Sequence, residues 1–230
     1  MRKKFSLGCV EFAIPRRTLE EKLEALEKRD MWLELANDGG RSTEKVSAAL
    51  SGFKVPILSV QANLLHELKM LSDDKAERDA ALKHVEETLR MASELGAKNV
   101  VTTLAYGKPH AKFPRRIALE TYRVFGKLAE DLGITVSIEP LGKNRSPFLP
   151  GTAEVQKLVS ELGVMHVCLM ADTMHIYDND DDVCATLAEN AGKILELQLR
   201  DTDSKPPGQG KLDFVKVMKA VGKKFNGLLC

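Results

Sequence analysis

A closed (β/α)8 barrel is the fold class this sequence predicts, and three observations predict it. Short apolar runs alternate with longer amphipathic segments, each run has one apolar and one polar face, and the amphipathic segments end on a repeated Leu-Gly signal. The runs, in order, are KFSLGCV, MWLELAN, VPILSVQ, KNVVTTL, ITVSIEP, MHVCLMAD, KILELQLRD and FNGLLC, which makes eight strand candidates. Segments such as TLEEKLEALEKRD and AERDAALKHVEETLRMASELGA lie between them, with apolar residues recurring every three or four positions, and read as helices. Leu95-Gly96-Ala97, Leu132-Gly133-Ile134 and Leu162-Gly163-Val164 each place a glycine where a helix stops and a strand begins. Strict alternation of this kind implies a parallel sheet, either closed or doubly wound.

Side-chain parity favours closure, because an open sheet covered on both faces needs strands that are apolar throughout. In ITVSIEP, Ile134, Val136 and Ile138 share one face while Thr135, Ser137 and Glu139 share the other. MHVCLMAD sets Val167, Leu169 and Ala171 against His166, Cys168, Met170 and Asp172, and ILELQLR sets Leu195, Leu197 and Leu199 against Glu196, Gln198 and Arg200. MWLELAN and PILSVQ repeat the pattern, Leu33 and Leu35 opposing Trp32 and Glu34, Leu58 and Val60 opposing Ser59 and Gln61. The apolar faces are expected to meet the outer helices and the mixed faces to fill the lumen, whose upper layer is polar in enzymes.

With 230 residues, 43% of them hydrophobic, the chain is expected to form one domain over residues 1–230, a barrel lacking its last helix because the sequence stops inside the eighth strand. A formal charge of +1, from 34 basic and 33 acidic side chains, gives no field to attract nucleic acid or an anionic membrane. Cys9, Cys168, Cys184 and Cys230 are far apart and form no Cys-x-x-Cys pair, which argues against a zinc knuckle or a disulfide scaffold. The basic N-terminal stretch MRKKFSLGCVEFAIPRR is interrupted by Glu11 and is too short to span a bilayer or to serve as a signal peptide. A cytoplasmic protein is the expectation.

Glu139 ends an apolar strand just before Pro140, and Asp172 occupies the equivalent place on the next strand, followed by Thr173, Met174 and His175. Two carboxylates at neighbouring strand ends face one cavity, and their repulsion calls for a divalent cation or a shared proton. Lys143, Asn144 and Arg145 follow Glu139 directly and overhang the mouth, where they are candidates to contact an anionic group. His66, His84 and His110 have no partners at ligand spacing and read as surface or packing residues. Asp178 to Asp182 lacks the glycine and closing glutamate of a calcium loop and reads as a cap for the helix that begins near Val183. Gly208 and Gly210 read as turn residues.

The strand endings SIEPLGKN and MADTMHIY, together with LQLRDTDSKPPGQGKLDF, resemble those of the xylose isomerase-like barrel superfamily, and the segment DDKAERDAALKHVEETLRMASELGAKNVV extends the likeness over most of the chain. That superfamily includes sugar and sugar-phosphate isomerases and epimerases, inosose dehydratases and endonuclease IV. The resemblance implies a divalent metal held after strands five, six, seven and eight by a glutamate, an aspartate, a histidine and a glutamate. Glu139 and Asp172 match the first two, and His175 matches a histidine that contacts substrate in the isomerases and binds metal in endonuclease IV. Gln198 stands where the strand-seven histidine is expected, and the strand-eight glutamate has no counterpart before Cys230. Gln61 and Thr103 replace the histidines of the nuclease, which excludes a trinuclear zinc centre. Ser204 and Lys205 fall where epimerases carry a substrate-binding arginine.

The resemblance therefore implies an isomerase or epimerase acting on a small open-chain carbohydrate, phosphorylated or not, through an enediolate. Glu139 and His175 are its expected acid and base, and Glu139, Asp172 and Gln198 its expected metal ligands. Gln61, His175, Lys143, Arg145 and Lys205 are its expected substrate contacts. The oxygen-rich ligand set suits magnesium or manganese better than zinc. Two alternatives stay open: a dehydratase of the same superfamily, and a non-catalytic, ligand-binding barrel that has lost its metal. The expected partners are a carbohydrate and a second copy of the chain, with neither nucleic acid nor membrane.

Overall fold

In the computed structural model, which describes residues 6–179 and 181–230, one parallel sheet holds eight strands in the order β1-β2-β3-β4-β5-β6-β7-β8. The strands are β1 Gly8–Val10, β2 Trp32–Asn37, β3 Ile57–Ala62, β4 Asn99–Thr103, β5 Thr135–Glu139, β6 Val167–Asp172, β7 Ile194–Gln198 and β8 Leu228–Leu229. A parallel bridge from Leu7 to Leu229 sets the last strand beside the first and brings the sheet round on itself. Each lies within one of the eight apolar runs except β3, which continues one residue past VPILSVQ to Ala62, and the first two residues of KFSLGCV fall outside the described residues.

The helices are α1 Leu19–Glu27, α2 Thr43–Leu50, α3 Lys75–Glu94, α4 Pro114–Asp131, α5 Thr152–Leu162, α6 Thr173–Asp178, α7 Val183–Asn190 and α8 Phe214–Val221. The long amphipathic helices α3 and α4 bury Ala81, Val85, Leu89, Ala118, Tyr122 and Phe125 against the apolar faces of the strands, where Val60, Val100, Val136 and Ile138 are fully covered. The Leu-Gly stops behave as predicted: Gly96, Gly133 and Gly163 have φ of 76°, 67° and 61°, the left-handed conformation that a helix exit requires and glycine adopts without strain. Asp182 caps α7 by accepting from the Ala185 N–H at 3.0 Å, while Asp180 of the same acidic run lies outside the described residues.

The mixed faces fill the lumen with a hydrogen-bonded polar layer. Asn99 donates to Ser137 at 2.8 Å and to Glu196 at 2.9 Å, and Gln198 donates to both oxygens of Glu34 at 2.9 and 2.8 Å. Glu34, Ser59, Asn99, Ser137 and Glu196 have no exposed surface, so these bonds offset the cost of burying so many polar groups. Gly8 is the counterpart of Trp32 in this packing, since a Cβ at position 8 would collide with the indole ring.

At the start of the chain Glu11 is buried and clamped by the Arg41 guanidinium through paired contacts at 2.9 and 2.6 Å, by Lys22 at 3.2 Å and by the Ala36 N–H at 3.1 Å. Burial alone would push its pKa up, but the Arg41 contacts, the Ala36 N–H and the Lys22 charge together hold it below the ordinary value. All four cysteines are unpaired. No described helix is long and apolar enough to cross a membrane.

Candidate active site

A cavity of about 270 Å³ opens at the carboxyl ends of the strands. This is the end at which barrels of this architecture place their chemistry, because the βα loops there are free to vary. Gln61 of β3, Thr103 of β4, Glu139 of β5 and Gln198 of β7 line its floor, with His175 from α6 and Arg200 just beyond β7. Phe12, His66, Tyr106 and Arg145 form the rim. Arg145 donates to the Tyr106 hydroxyl at 2.9 Å, which fixes its guanidinium over the opening.

Glu139 is 5% exposed and carries a pKa raised to about 8, first by burial and then by the charge of Asp172, against the lowering influence of Arg200 and Arg145. Near neutral pH it therefore sits close to the balance between acid and carboxylate, where a group can both take and return a proton. His175 is also buried, and its pKa falls to about 4, with burial as the largest cause, so its ring is neutral at physiological pH.

The tautomer of that neutral ring follows from one bond. The Gly142 N–H donates to His175 Nδ1 at 3.1 Å, so the proton resides on Nε2. Nε2 lies 3.6 Å from Glu139 Oε1 and 3.0 Å from Arg200 Nη2. Two donors, the imidazole N–H and the guanidinium, thus face each other, with Glu139 Oε1 on the imidazole side and Asp172 Oδ2, 2.5 Å from the same Nη2, on the guanidinium side.

Asp172 has a different neighbourhood from the one its position suggests. Its Oδ1 accepts the Met174 N–H at 2.7 Å and the His175 N–H at 3.3 Å, capping α6, while Oδ2 meets Arg200 Nη2 at 2.5 Å. The Thr173 hydroxyl anchors Arg200 by donating to its carbonyl at 2.6 Å and accepting its N–H at 2.9 Å. Arg200 covers Asp172 so that it does not line the cavity. A positive charge thus occupies part of the space between the two carboxylates.

Glu139, Asp172 and His175 bring potential ligand atoms within 4.8 Å of one another. His175 uses Nδ1 to accept from Gly142 and carries its proton on Nε2, so it acts as a donor, and the acceptors available to a cation are oxygens. These are Glu139, the Oδ2 of Asp172, and the amide oxygen of Gln198, whose nitrogen is committed to Glu34. Asp172 Oδ2 has the Arg200 guanidinium as its partner, whereas Gln61 Oε1 and Thr103 Oγ1 are buried without partners. Such a set fits a hard divalent ion, provided the Arg200 guanidinium yields Oδ2.

The structure thus brings together Glu139, His175, Gln198, Gln61 and Arg145 around the cavity and sets Asp172 behind Arg200. Lys143 and Lys205 do not line it: Lys143 is exposed, with its backbone N–H bonded to Asn179 at 2.8 Å, and Lys205 pairs with Asp203 at 3.4 Å on the surface. Sequence reasoning assigned Arg200 only to a polar strand face and gave His66 no site role; both line the cavity. A second cluster, Glu34, Glu196 and Cys230, lies deeper in the lumen. Burial and then the neighbouring Glu196 push Glu34 well above its ordinary pKa. Beyond the mouth, Asp201 accepts the N–H groups of Thr202, Gly208, Gly210 and Leu212 at 2.8, 3.0, 2.8 and 3.1 Å and folds the PPGQG segment into a tight loop. Those bonds hold its pKa at about 2 against the opposing effect of burial.

Among proteins of known activity, 3-dehydro-D-guloside 4-epimerase of Escherichia coli K12 is 25% identical over 144 residues, covering 58% of this chain and 55% of the relative. Hydroxypyruvate isomerase of the same organism is 25% identical over 147 residues, 60% of this chain and 56% of the relative. L-ribulose 3-epimerase of Mesorhizobium japonicum is 24% identical over 155 residues, covering 65% of this chain and 52% of that protein. The chain thus spans about half the length of the curated relatives it matches. In fold it is similar to 3-keto-D-glucoside 4-epimerase from E. coli, with a TM-score of 0.85 at 21% identity, covering 98% of this chain and 90% of the other. It is also similar to the IolI protein with a bound zinc atom, with a TM-score of 0.82 at 16% identity, covering 98% of this chain and 87% of that one. The family model described as "Xylose isomerase-like TIM barrel" matches residues 8–230, and the chain belongs to that family.

Proposed function

We propose that this chain is a sugar or sugar-phosphate isomerase or epimerase that shifts a proton beside the carbonyl of a small open-chain carbohydrate by way of an enediolate. The observation that carries the reading is Glu139, a buried carboxyl with its pKa raised to about 8, placed 3.6 Å from a protonated imidazole nitrogen at the floor of a closed-ended cavity. The relatives' names support it, since two of them are sugar epimerases and the third is an isomerase of hydroxypyruvate.

In its ionised form Glu139 removes the proton from the carbon next to the substrate carbonyl. The negative charge then moves to the carbonyl oxygen, where the Nε2–H of His175 and the Arg200 guanidinium both donate to it. Returning the proton from Glu139 to the neighbouring carbon completes an isomerisation with one base. Inversion of a centre needs proton delivery to the opposite face: His175 gives its Nε2 proton to the carbon and takes in exchange, across 3.6 Å, the proton that Glu139 removed, so both groups end as they began. Gln61, Thr103 and Arg145 offer acceptors and a cation to the remaining hydroxyl or phosphate oxygens. Lys143 and Lys205 reach such a substrate only if their loops fold over it.

Glu139, Asp172 and Gln198 would hold the divalent cation of this reading, with magnesium or manganese favoured over zinc by the all-oxygen donor set. Bound there, the cation supplies Lewis-acid polarisation of the carbonyl and hydroxyl pair. The Arg200–Asp172 contact at 2.5 Å favours a second reading, a barrel that binds its ligand without metal. Manganese binding by the purified protein, with Glu139→Ala and Asp172→Ala as controls, separates the two. The first reading expects binding that both substitutions weaken, and it is lost if the wild type binds no manganese or magnesium at millimolar concentration. The reading carries a cytoplasmic location and self-association as further proposals, the latter tested by sedimentation, where a clean monomer at low concentration speaks against it.

A further inference from the structure

The geometry points to Glu34, on the far side of the barrel from the carboxylate pair, as the positioning residue that turns Gln198 into a cation ligand. The inference rests on the proposed divalent-ion site and adds a component to it from β2.

An amide side chain is ambiguous at a metal site, because one end accepts and the other donates. A cation needs the oxygen, and a rotation of the terminal torsion would present two N–H bonds in its place. In this barrel the choice is made from below. Gln198 Nε2 lies 2.9 Å from Glu34 Oε1 and 2.8 Å from Glu34 Oε2, so the amide nitrogen meets both oxygens of a carboxyl group that has no exposed surface. The hydrogen bond between Glu34 and Glu196 takes up the proton of the pair, so the Glu34 oxygens facing Gln198 are left to accept, and an accepting oxygen selects the nitrogen end. The amide oxygen is then left on the cavity side, where Gln198 forms part of the lining with Glu139. Unlike the oxygens of Gln61 and Thr103, it is not shut away without a partner.

Glu34 is itself held by a second residue of the strand that carries Gln198. Glu196, two residues before Gln198 on β7, hydrogen-bonds to Glu34 and accepts from Asn99 at 2.9 Å, and Asn99 bonds to Ser137 on β5 at 2.8 Å. A chain of buried polar contacts thus fixes the height and rotation of Glu34 before any ion arrives. Outer-shell partners that orient a ligand in this way change metal affinity by about 10- to 100-fold when removed.

The test uses the full chain and manganese alone, titrated by calorimetry, with thermal unfolding by circular dichroism as the control for folding. Glu34→Gln replaces the selecting carboxylate with an amide that can donate to Gln198, which frees or reverses the Gln198 side chain. The expected result is manganese affinity lowered by at least about tenfold with folding retained. The doubly exchanged variant, Glu34→Gln with Gln198→Glu, reverses the pair so that the amide lies below and a carboxylate oxygen faces the cavity. It is expected to bind manganese at least as tightly as the wild type. Glu34→Gln binding within twofold of the wild type overturns the inference, as does an exchanged variant that folds and binds no manganese. If the single variant does not fold, the exchanged variant alone decides by the same criterion. Failure of the wild type to bind manganese is a separate outcome, which removes the proposed ion site and this inference with it.

Discussion

Glu139 owes its chemistry to where the chain leaves it: a carboxyl at the end of β5, shut off from water and near Asp172, is held protonated to about pH 8. Its ordinary value is 4.5, so between these two values the folded protein keeps a proton that the unfolded chain has released. Its contribution to stability is therefore fully present below the lower value and is lost as pH rises through the upper one. Urea unfolding of the wild type from about pH 5 to about pH 9 should show a falling midpoint that flattens in Glu139→Gln; an unchanged slope in the variant would assign the effect elsewhere. His175 behaves in the opposite way, staying neutral down to about pH 4, so its Nε2–H is a donor across the working range. His175→Asn should lower turnover by about 10²- to 10⁴-fold. Steady-state kinetics check this, and retention of full turnover would remove His175 from the mechanism.

At the scale of elements, the strand ends are legible in sequence because period-two alternation reports which face each side chain takes. Glu139 and Asp172 could be placed on adjacent strands for that reason, and Gln61 and Gln198 on the same inward face. The distance across the barrel is not written in any local pattern. Gln198 meets Glu34 although 164 residues separate them, and the Arg200 guanidinium reaches Asp172 because the Thr173 hydroxyl pins its backbone beside β6. Loop side chains are also beyond local rules: Lys143 and Arg145 are two residues apart, yet only Arg145 turns to the cavity, guided by the Tyr106 hydroxyl. The clamp on Glu11 ties the segment after β1 to α1 and to the loop that leads from β2 into α2, next to the rim residue Phe12. Because removing one partner leaves buried charge uncompensated, Glu11→Ala is expected to cost about 3 kcal/mol of stability, measured by urea denaturation. A loss below about 1 kcal/mol would make the clamp an ordinary surface contact.

For the molecule as a whole, the barrel separates two tasks that compete for polar residues. Its outer faces supply the apolar burial that holds helices to sheet, and its lumen supplies a rigid polar scaffold through Asn99, Glu196 and Glu34 beneath the cavity. The site above inherits that rigidity, which places a base, a neutral donor and an arginine around one small volume. Arg200 and an added cation compete for Asp172 Oδ2, so Arg200→Met should raise manganese affinity by at least about tenfold in calorimetry. An unchanged affinity would mean that ion and arginine do not share the aspartate. The central claim, proton removal by Glu139 beside a carbonyl, is tested most directly by nuclear magnetic resonance in deuterium oxide, with the manganese- or magnesium-supplemented protein and a panel of open-chain ketoses and hydroxy-keto acids. The account predicts deuterium entering the carbon next to the carbonyl of at least one compound, at a rate that Glu139→Gln lowers by at least about 10²-fold. Exchange that is absent from every compound, or equal in the variant, would contradict it.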